Sequence, residues 1–307
     1  MNIIVCIEKV VGNSLRCALR SILHAFVVVA WTTSALAQTL PVNQQATTDS
    51  QSGAEISKQV ANPLSNLWLM QFQQNDNWLG MPSGHGDRVQ SDLQFQPLLP
   101  LRLTDNWNFI MRPVFQLYNS TPFLDESDQK QRQSGFGATV LAFAISPGTG
   151  LVGHWLLAAG PTFIFPTSTN SLLGQNEWQF GPTAAIGYTG AHFIAYVFPQ
   201  QWFSIGGNGP KTSQMSAYYA FVYFLPKGWS VGTNPDMLVN WEAPRGNRVT
   251  FPVGLQVGKL TKVGRIPIKL DLQGQYYAVH QQVYGPKWNL QLQVTPIIPS
   301  LIKRKLL

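Results

Sequence analysis

Apolar and polar residues alternate with a period of two along several stretches of the chain. The clearest stretch runs from Val89 to Arg102, where large apolar side chains fall on one face and mostly amide side chains on the other. This alternation is typical of a β-strand with two unlike faces and does not fit the period of a helix. Related patterns occupy 268–276 and 288–295. The polar positions of the three stretches include Gln90, Asp92, Gln94, Gln96, Lys269, Asp271, Gln273, Gln275, Asn289, Gln291 and Gln293.

Weaker forms of the pattern bring the number of predicted strands to about twelve, give or take about two. The stretches around 135–165 and 191–225 are apolar on both faces, so the alternation does not fix which of their side chains share a face. The predicted strands are 64–73, 89–102, 107–119, 135–146, 151–165, 177–189, 191–205, 213–225, 229–241, 248–260, 268–276 and 288–298.

The connections between predicted strands alternate between two kinds. Short, turn-like ones lie at 104–106, 146–150, 189–190, 226–228 and 262–265, and longer polar ones at 74–88, 120–134, 166–176, 206–212, 242–247 and 280–287. Short periplasmic turns alternating with longer outer loops are typical of an outer-membrane barrel with both ends in the periplasm. Because a sheet in lipid can have no open edge, the first and last predicted strands should pair.

The low charge content distinguishes a membrane barrel from a soluble β-sandwich, whose strands alternate in the same way. Only 11% of the residues are charged, against about 25% in an average soluble domain. The polar faces consist mainly of Gln, Asn, Thr, Ser and Gly, which suits an enclosed lumen better than an aqueous surface. The sequence therefore predicts an all-β fold, a transmembrane antiparallel up-and-down β-barrel whose apolar faces contact outer-membrane lipids.

The N-terminus has the features of a secretory signal. Lys9, Arg16 and Arg20 precede an apolar stretch at 22–31, and Ala35-Leu36-Ala37 forms a small-residue cleavage site. A membrane anchor is the alternative, but a spanning helix needs about 20 apolar residues. We expect export to the bacterial outer membrane with cleavage near Ala37. The predicted division is a signal peptide at 1–37, a flexible periplasmic lead-in at 38–62, the barrel at 63–299 and a basic tail at 300–307.

Cysteine content and net charge exclude some classes of function. Cys6 and Cys17 both lie in the predicted signal, so the exported chain has no thiol for a disulfide or a thiolate metal site. The full chain carries a net charge of +7, and without the signal 18 basic and 13 acidic residues remain, a net charge of +5. These charges are scattered, which argues against nucleic acid as a partner. We expect neither a metal nor a cofactor.

Five tryptophans stand at the ends of predicted strands, where the aromatic girdles of membrane barrels occur. A buried structural role is the alternative for each of them. They are Trp107, Trp178, Trp229, Trp241 and Trp288.

Charged and amide residues on the polar faces are candidates for solute contact in the lumen. A charge on the lipid face would cost about 2–4 kcal/mol for Arg or Lys near the midplane, so we expect these side chains to point inward. Internal ion pairs that only stabilise the barrel are an equal alternative. The candidates are Asp92, Arg112, Lys269, Asp271, Gln94 and Gln273. Tyr118, Tyr218 and Tyr277 are further lumen candidates, although packing or girdle positions are favoured for them.

Two other classes of outer-membrane protein compete with a channel. A lipid-modifying enzyme would need a nucleophile and a base near the barrel rim. His85, His154, His192 and His280 follow the signal, but they form no Ser–His–acid set and no metal-spaced pair, so we expect no catalytic residue. The other alternative is a structural or adhesive barrel whose outer loops, such as the charged loop at 120–134, carry the function.

Several segments resemble those of a known family. GPTFIFPT from Gly160, GQNEWQFGPTAA from Gly174 and FPVGLQVGKLTKVGRIPIKLDLQGQYYA from Phe251 are similar to the meta-pathway phenol-degradation family of outer-membrane proteins. The resemblance covers about 60–299. It implies an outer-membrane barrel linked to the uptake of aromatic compounds, and it implies no catalytic residues.

The C-terminus departs from the usual barrel ending. The sequence IKRKLL at 302–307 replaces a terminal aromatic residue on the last strand. We therefore expect the barrel-assembly machinery to recognise Trp288, Leu290, Leu292 and Val294 instead. The expected function is a channel or transporter for passive uptake of small solutes, aromatic or hydrophobic compounds among them.

Overall fold

The computed structural model describes residues 53–82 and 85–298. The predicted signal peptide, the first part of the lead-in and the C-terminal tail lie outside the described residues. Within them the strands are β1 (Trp68–Gly80), β2 (Asp87–Arg102), β3 (Trp107–Leu124), β4 (Lys130–Phe136), β5 (Thr139–Pro147), β6 (Trp155–Phe165), β7 (Glu177–Thr189), β8 (Phe193–Gly207), β9 (Ser213–Phe224), β10 (Trp229–Thr233), β11 (Asp236–Asn240), β12 (Val249–Val263), β13 (Ile266–Val279) and β14 (Pro286–Ile298).

These strands form one closed antiparallel wall. β4 and β5 succeed one another along β3 and act as a single wall strand, and β10 and β11 do the same between β9 and β12. β1 pairs with β14 from Trp68–Ile298 to Trp78–Trp288, which closes the ring. The described part of the chain is therefore a closed twelve-stranded barrel, and the predicted fold class and the pairing of first and last strands are confirmed.

The two ends of the barrel differ as the connections predict. The five shorter connections lie at the same end as the start of β1 and the end of β14, here called the turn end. One of them contains a four-residue helix, α2 (Thr149–Val152). The opposite, loop end carries the connections 81–86, 125–129, 166–176, 208–212, 241–248 and 280–285.

Two predicted boundaries at the loop end are wrong. β1 was expected to end at residue 73 but continues to Gly80, because Asn75 and Asn77 keep pairing with both neighbouring strands although the segment is polar on both faces. The predicted loop 120–134 shrinks to a turn at 125–129, since β3 and β4 pair almost to their tips. The Asp125 carboxylate closes this turn by accepting the backbone N–H of Gln129 at 2.8 Å.

Side chains alternate between lumen and outer surface along the wall strands. On β7, Trp178, Phe180 and Ile186 are 42–51% exposed, whereas the intervening polar residues are almost fully buried. Because successive residues of a strand point to opposite faces, the exposed apolar set lies on the outside and the polar set faces the lumen.

A helix fills the turn end of the lumen. α1 (Gly53–Ala61) places Ile56 and Val60, one helical turn apart, on a single face. Both are buried against inward-facing Leu69, Leu98 and Ile110 of the wall. The expectation of a flexible lead-in with no core to bury is therefore wrong for residues 53–61. Neither α1 nor α2, the two α-helices of the described chain, is long and apolar enough to cross a membrane.

Candidate solute chamber in the lumen

A cavity of about 360 Å³, here called the chamber, lies in the lumen between α1 and the loop end. One side of it, the amide wall, comes from β14, β1 and β2. Its residues are Asn289, Gln291, Gln293, Gln71, Gln73, Asn75, Asn77, Gln90 and Gln94. The other side, the aromatic wall, is formed by Tyr196 and Phe198 of β8 and Tyr218 of β9. β8 stands half a turn of the barrel from β1, so the two walls face each other across the lumen.

Asp92 is held on the amide wall by uncharged donors. Its side chain is buried, and its carboxylate accepts hydrogen bonds from four side-chain amides on three strands. Each ionised carboxylate oxygen can accept more than one such bond, so the amides replace much of the lost hydration. The donors are Asn75, Asn77, Gln94 and Gln116, at 3.1–3.4 Å.

Arg112 spans the chamber from β3 to the aromatic wall. Its guanidinium carbon lies 5.1 Å from the ring centre of Tyr218 and 5.8 Å from that of Phe198. A guanidinium at these distances from an aromatic face is attracted by the ring quadrupole. Its Nη2 also donates to Gln96, which in turn donates to Gln94 at 2.6 Å. The charge of Arg112 is thus linked through two glutamines to the amides around Asp92.

Lys269 and Asp271 form an ion pair on β13. Lys269 Nζ lies 2.9 Å from Asp271 Oδ1, and both side chains are 3% exposed. Gln256 of β12 donates to the same oxygen at 2.6 Å. The pair crosses over Gly258, where a Cβ would overlap the Asp271 carboxylate. Both residues line the chamber, so the pair stabilises the wall and borders the solute space at once.

The remaining predicted lumen residues are placed as follows. Gln94, Tyr118, Tyr218 and Tyr277 line the chamber. Gln273 is buried and does not line the chamber, and neither of its side-chain amide atoms has a hydrogen-bond partner within the described chain.

Asp236 and Tyr196 also line the chamber but were not predicted to do so. Ser216 donates to Asp236 Oδ1 at 2.7 Å. Asp236 follows the interruption at Asn234-Pro235, where the alternation is lost. Tyr196 lies in the segment that is apolar on both faces, so no signal in the pattern assigned it to the lumen.

Loop-end residues partly cover the chamber. Tyr284 lines it and accepts the backbone N–H of Leu124 with its hydroxyl at 3.3 Å. His85 Nε2 lies 2.9 Å from Asp128 Oδ2 and so joins the two neighbouring connections. The loop end is therefore cross-linked by side chains.

The five predicted girdle tryptophans are all exposed, by 43–56%. Trp107 and Trp229 lie at the turn end, and Trp178, Trp241 and Trp288 at the loop end. Lys259 Nζ sits 4.8 Å from the centre of the Trp229 ring. Two belts at the two ends of the wall are the arrangement that interfacial girdles require, and the interfacial role itself stays a prediction.

The outer face carries one polar patch. Gln74 and Asp76 alternate with the chamber residues of β1 and therefore lie outside. Gln74 Nε2 donates to Ser91 at 2.8 Å and to Asp76 at 3.3 Å, and Asn119 donates to Gln74 at 3.3 Å. Asp76 lies in the segment predicted as the loop 74–88, so no orientation was predicted for its side chain. The mutual hydrogen bonds lower the cost of these groups at a lipid-facing site.

The histidines lie apart from the chamber. His154 and His192 are in turn-end connections beside Tyr188 and Tyr223, and His280 Nδ1 lies 2.8 Å from the Gln281 carbonyl oxygen. Within residues 53–82 and 85–298, no group of His, Cys, Asp and Glu has an arrangement that could hold a metal ion.

Three solved outer-membrane proteins can be aligned with most of the chain. The COG4313 outer membrane channel from Pseudomonas putida F1 is 13% identical, with a TM-score of 0.57 over 76% of this chain and 96% of that chain. The transport unit of the autotransporter AIDA-I from Escherichia coli is 9% identical, with a TM-score of 0.46 over 80% and 96%. The toluene transporter TodX of Pseudomonas putida is 9% identical, with a TM-score of 0.38 over 78% and 92%.

At 13% identity, the likeness to the first of the three shows the fold alone. No protein-family model and no curated protein sequence matches the chain.

Proposed function

We propose that this protein is an outer-membrane channel for the passive uptake of small solutes, aromatic compounds among them. The observation that carries the proposal is the chamber, in which a wall of amides faces a wall of aromatic rings inside a closed barrel. The solved barrel with the highest of the reported TM-scores is itself described as an outer membrane channel.

The size of the chamber supports a small solute. Its volume of about 360 Å³ lies at the lower end of the range for ligand pockets, which is about 300–1,000 Å³. A cavity of about 150 Å³ already admits benzene. The chamber therefore has room for one or two substituted rings and is much narrower than an open sixteen-stranded porin.

The chemistry of the two walls favours a flat ring with a polar substituent. Phe198 and Tyr218 can stack on a solute ring that takes the place of the Arg112 guanidinium, a contact worth about 0.5–1.5 kcal/mol for an aromatic pair beyond burial. The amides opposite can donate to or accept from a hydroxyl or carboxylate. Arg112 lies between the two walls and can pair with an anionic substituent.

Passage through the chamber also requires α1 to move, because it fills the turn end of the lumen. The helix is held by apolar packing, with Ser57 donating to the Gly228 carbonyl at 3.5 Å. We propose that α1 is the periplasmic gate of the channel.

Entry of benzoate into vesicles tests the proposal. Vesicles that contain the purified protein should swell in sodium benzoate faster than protein-free vesicles, with a known porin as the working control. Absence of swelling, with the helix intact and also after it is displaced, would favour a structural or adhesive barrel. Release of fatty acid from phospholipid by the same preparation would instead favour a lipid-modifying enzyme.

Substitutions of charged residues test whether solutes pass through the chamber. Arg112→Ala should make the pore more cation-selective, because it removes a positive charge from a chamber that three carboxyl side chains line, and Asp92→Ala should shift selectivity the opposite way. Reversal potentials in planar bilayers measure both changes. Arg102→Ala is the matched control, since Arg102 is exposed at the turn end. Unchanged potentials would remove Arg112 and Asp92 from the pathway.

A further inference from the structure

One seam of the barrel wall has a long interruption. β10 pairs with β12 as far as Gly232–Gln256, and β11 resumes the pairing at Leu238–Thr250. Five residues lie between these two pairs on each strand, so the register is unchanged. The residues between them, 233–237 and 251–255, are not paired with each other. Among the interruptions that have strand pairs at both ends, no other in the described wall is so long; the one between β2 and β3 is three residues.

Two prolines account for the interruption. Pro235 lies in one of the two unpaired segments and Pro252 in the other. A proline has no N–H to donate to a sheet ladder. Pro235 also separates β10 from β11, and the pairing of β12 with β13 shifts register at Phe251–Pro252. The backbone thus cannot form a continuous ladder here.

Side chains close the gap instead. From the outer face, the Tyr219 ring stacks on Phe251, with centroids 5.6 Å apart and an interplanar angle of 10°. The Tyr219 hydroxyl donates to the carbonyl oxygen of Pro252 across the gap. On the lumen side, the Tyr196 hydroxyl donates to Asn234 Oδ1 at 3.2 Å and so ties the link between β10 and β11 to β8, without crossing the gap. The seam is therefore held by a few side-chain contacts where the rest of the wall has backbone hydrogen bonds.

At the gap, a single layer of wall residues separates the chamber from the outer surface. Asn234 and Asp236 line the chamber on its inner side. Val253 and Leu255 are 43% and 64% exposed on its outer side. Tyr196 and Tyr218 of the aromatic wall lie next to the inner side, so a ring bound there is adjacent to the gap.

We propose that this gap, residues 233–237 and 251–255, is a lateral portal through which small uncharged aromatic solutes pass from the chamber into the bilayer. The inference rests on the proposed channel function and adds a second exit to it. A charged solute cannot enter hydrocarbon without a large desolvation cost, so the portal selects uncharged rings. Rotation of Tyr219 away from Phe251 opens it without breaking a backbone ladder.

A disulfide across the gap tests the portal. Thr233 and Leu255 are opposite each other by the register of the preceding pair, and the described residues contain no cysteine. Cells that express the full chain with Thr233→Cys and Leu255→Cys are oxidised and then assayed for uptake of labelled toluene and labelled benzoate. The matched control is Val257→Cys with Leu272→Cys, an outward pair on the continuous seam between β12 and β13. Gel mobility under non-reducing conditions confirms both crosslinks.

We expect the oxidised portal pair to lower toluene uptake below that of the reduced variant, a reductant to restore it, and benzoate uptake and the control pair to be unaffected. Undiminished toluene uptake in the crosslinked portal variant would overturn the portal. If the unmodified protein carries benzoate but not toluene, the portal fails and the channel stands. If it carries neither, the proposed function fails as well.

Tyr219→Phe provides a second test that needs no crosslink. It keeps the ring on Phe251 and removes the hydroxyl that bonds Pro252. Loss of one hydrogen bond should favour the open seam and raise toluene uptake by about fivefold, with benzoate uptake constant. Equal toluene uptake by Tyr219→Phe and the unmodified protein would count against the portal.

Discussion

Four side-chain amides surround the Asp92 carboxylate, and the sequence pattern predicts only part of this arrangement. The alternation at 89–102 places Asp92 inward, as predicted. Two of its donors, Asn75 and Asn77, were missed because β1 was expected to end before them. Both faces of that segment are polar, so a pattern of apolar positions does not detect it. Inward orientation is thus readable from sequence, whereas hydrogen-bond partners depend on cross-strand register.

Gly258 makes room for the ion pair between Lys269 and Asp271. Gly258→Ala should displace the pair and lower the free energy of unfolding by about 1–3 kcal/mol through overpacking next to a buried charge. Urea unfolding of the barrel in detergent measures the change. Gly274→Ala is the control, because no atom lies within 4 Å of the Cβ it would add. Equal stability of the two variants would show that the pair tolerates displacement.

At the scale of elements, strands were more predictable than the helix. Most wall strands lie within a few residues of their predicted bounds, because lipid outside and polar groups inside impose a period of two on the clearest of them and turn residues mark the ends of the others. α1 was missed since only Ile56 and Val60 mark its buried face, too few apolar positions to stand out in a polar segment. Its partners come from distant strands of the lumen, which no local pattern shows.

Displacement of α1 should open the turn end. Ile56→Asp with Val60→Asp would bury unpaired carboxylates, which costs more than about 1.4 kcal/mol and should raise the open population at least about tenfold. Single-channel conductance in planar bilayers measures it. Glu55→Gln, on the more exposed side of the helix, is the control and should leave conductance unchanged. A closed channel in the double variant would show that another segment blocks the lumen.

The turn between β3 and β4 should respond to acid. The backbone N–H of Gln129 and the side-chain amide of Gln131 hold the pKa of Asp125 below its usual range. A carboxylate with a lowered pKa stabilises the folded turn above its ordinary pKa, and this contribution is lost as pH falls through the lowered value. Relative to the intrinsic exchange rate at each pH, the amides of residues 126–130 should therefore stay protected at pH 5 and lose protection only in acid, below the ordinary aspartate pKa of about 3.9. Asp125→Ala should lack this protection in both conditions; protection in that variant would assign the turn to its backbone alone.

At the scale of the whole molecule, closure between β1 and β14 makes the barrel a single cooperative unit. The alternation predicted the number of strands. The closure was predicted because an open edge is excluded in lipid. The interruption between β11 and β12 did not follow from it, since a proline signals a weak ladder but not which seam it weakens. The same limit applies to the chamber, whose two walls come from strands half a ring apart.

Closure predicts heat-modifiable migration. The folded barrel should resist dodecyl sulfate at room temperature and run faster on a gel than the boiled chain, and it should fractionate with the outer membrane. A single mobility before and after boiling, together with recovery from a soluble periplasmic extract, would contradict the membrane barrel.

The short connection between α1 and β1 sets how the helix would act as a gate. Six residues, 62–67, join Ala61 to Trp68, a tether of about 20 Å at full extension. A released helix would stay tethered near its binding site, at an effective concentration in the millimolar range. Reclosure would then be an intramolecular event. The fraction of closed channels would therefore not depend on how many copies of the protein the membrane contains.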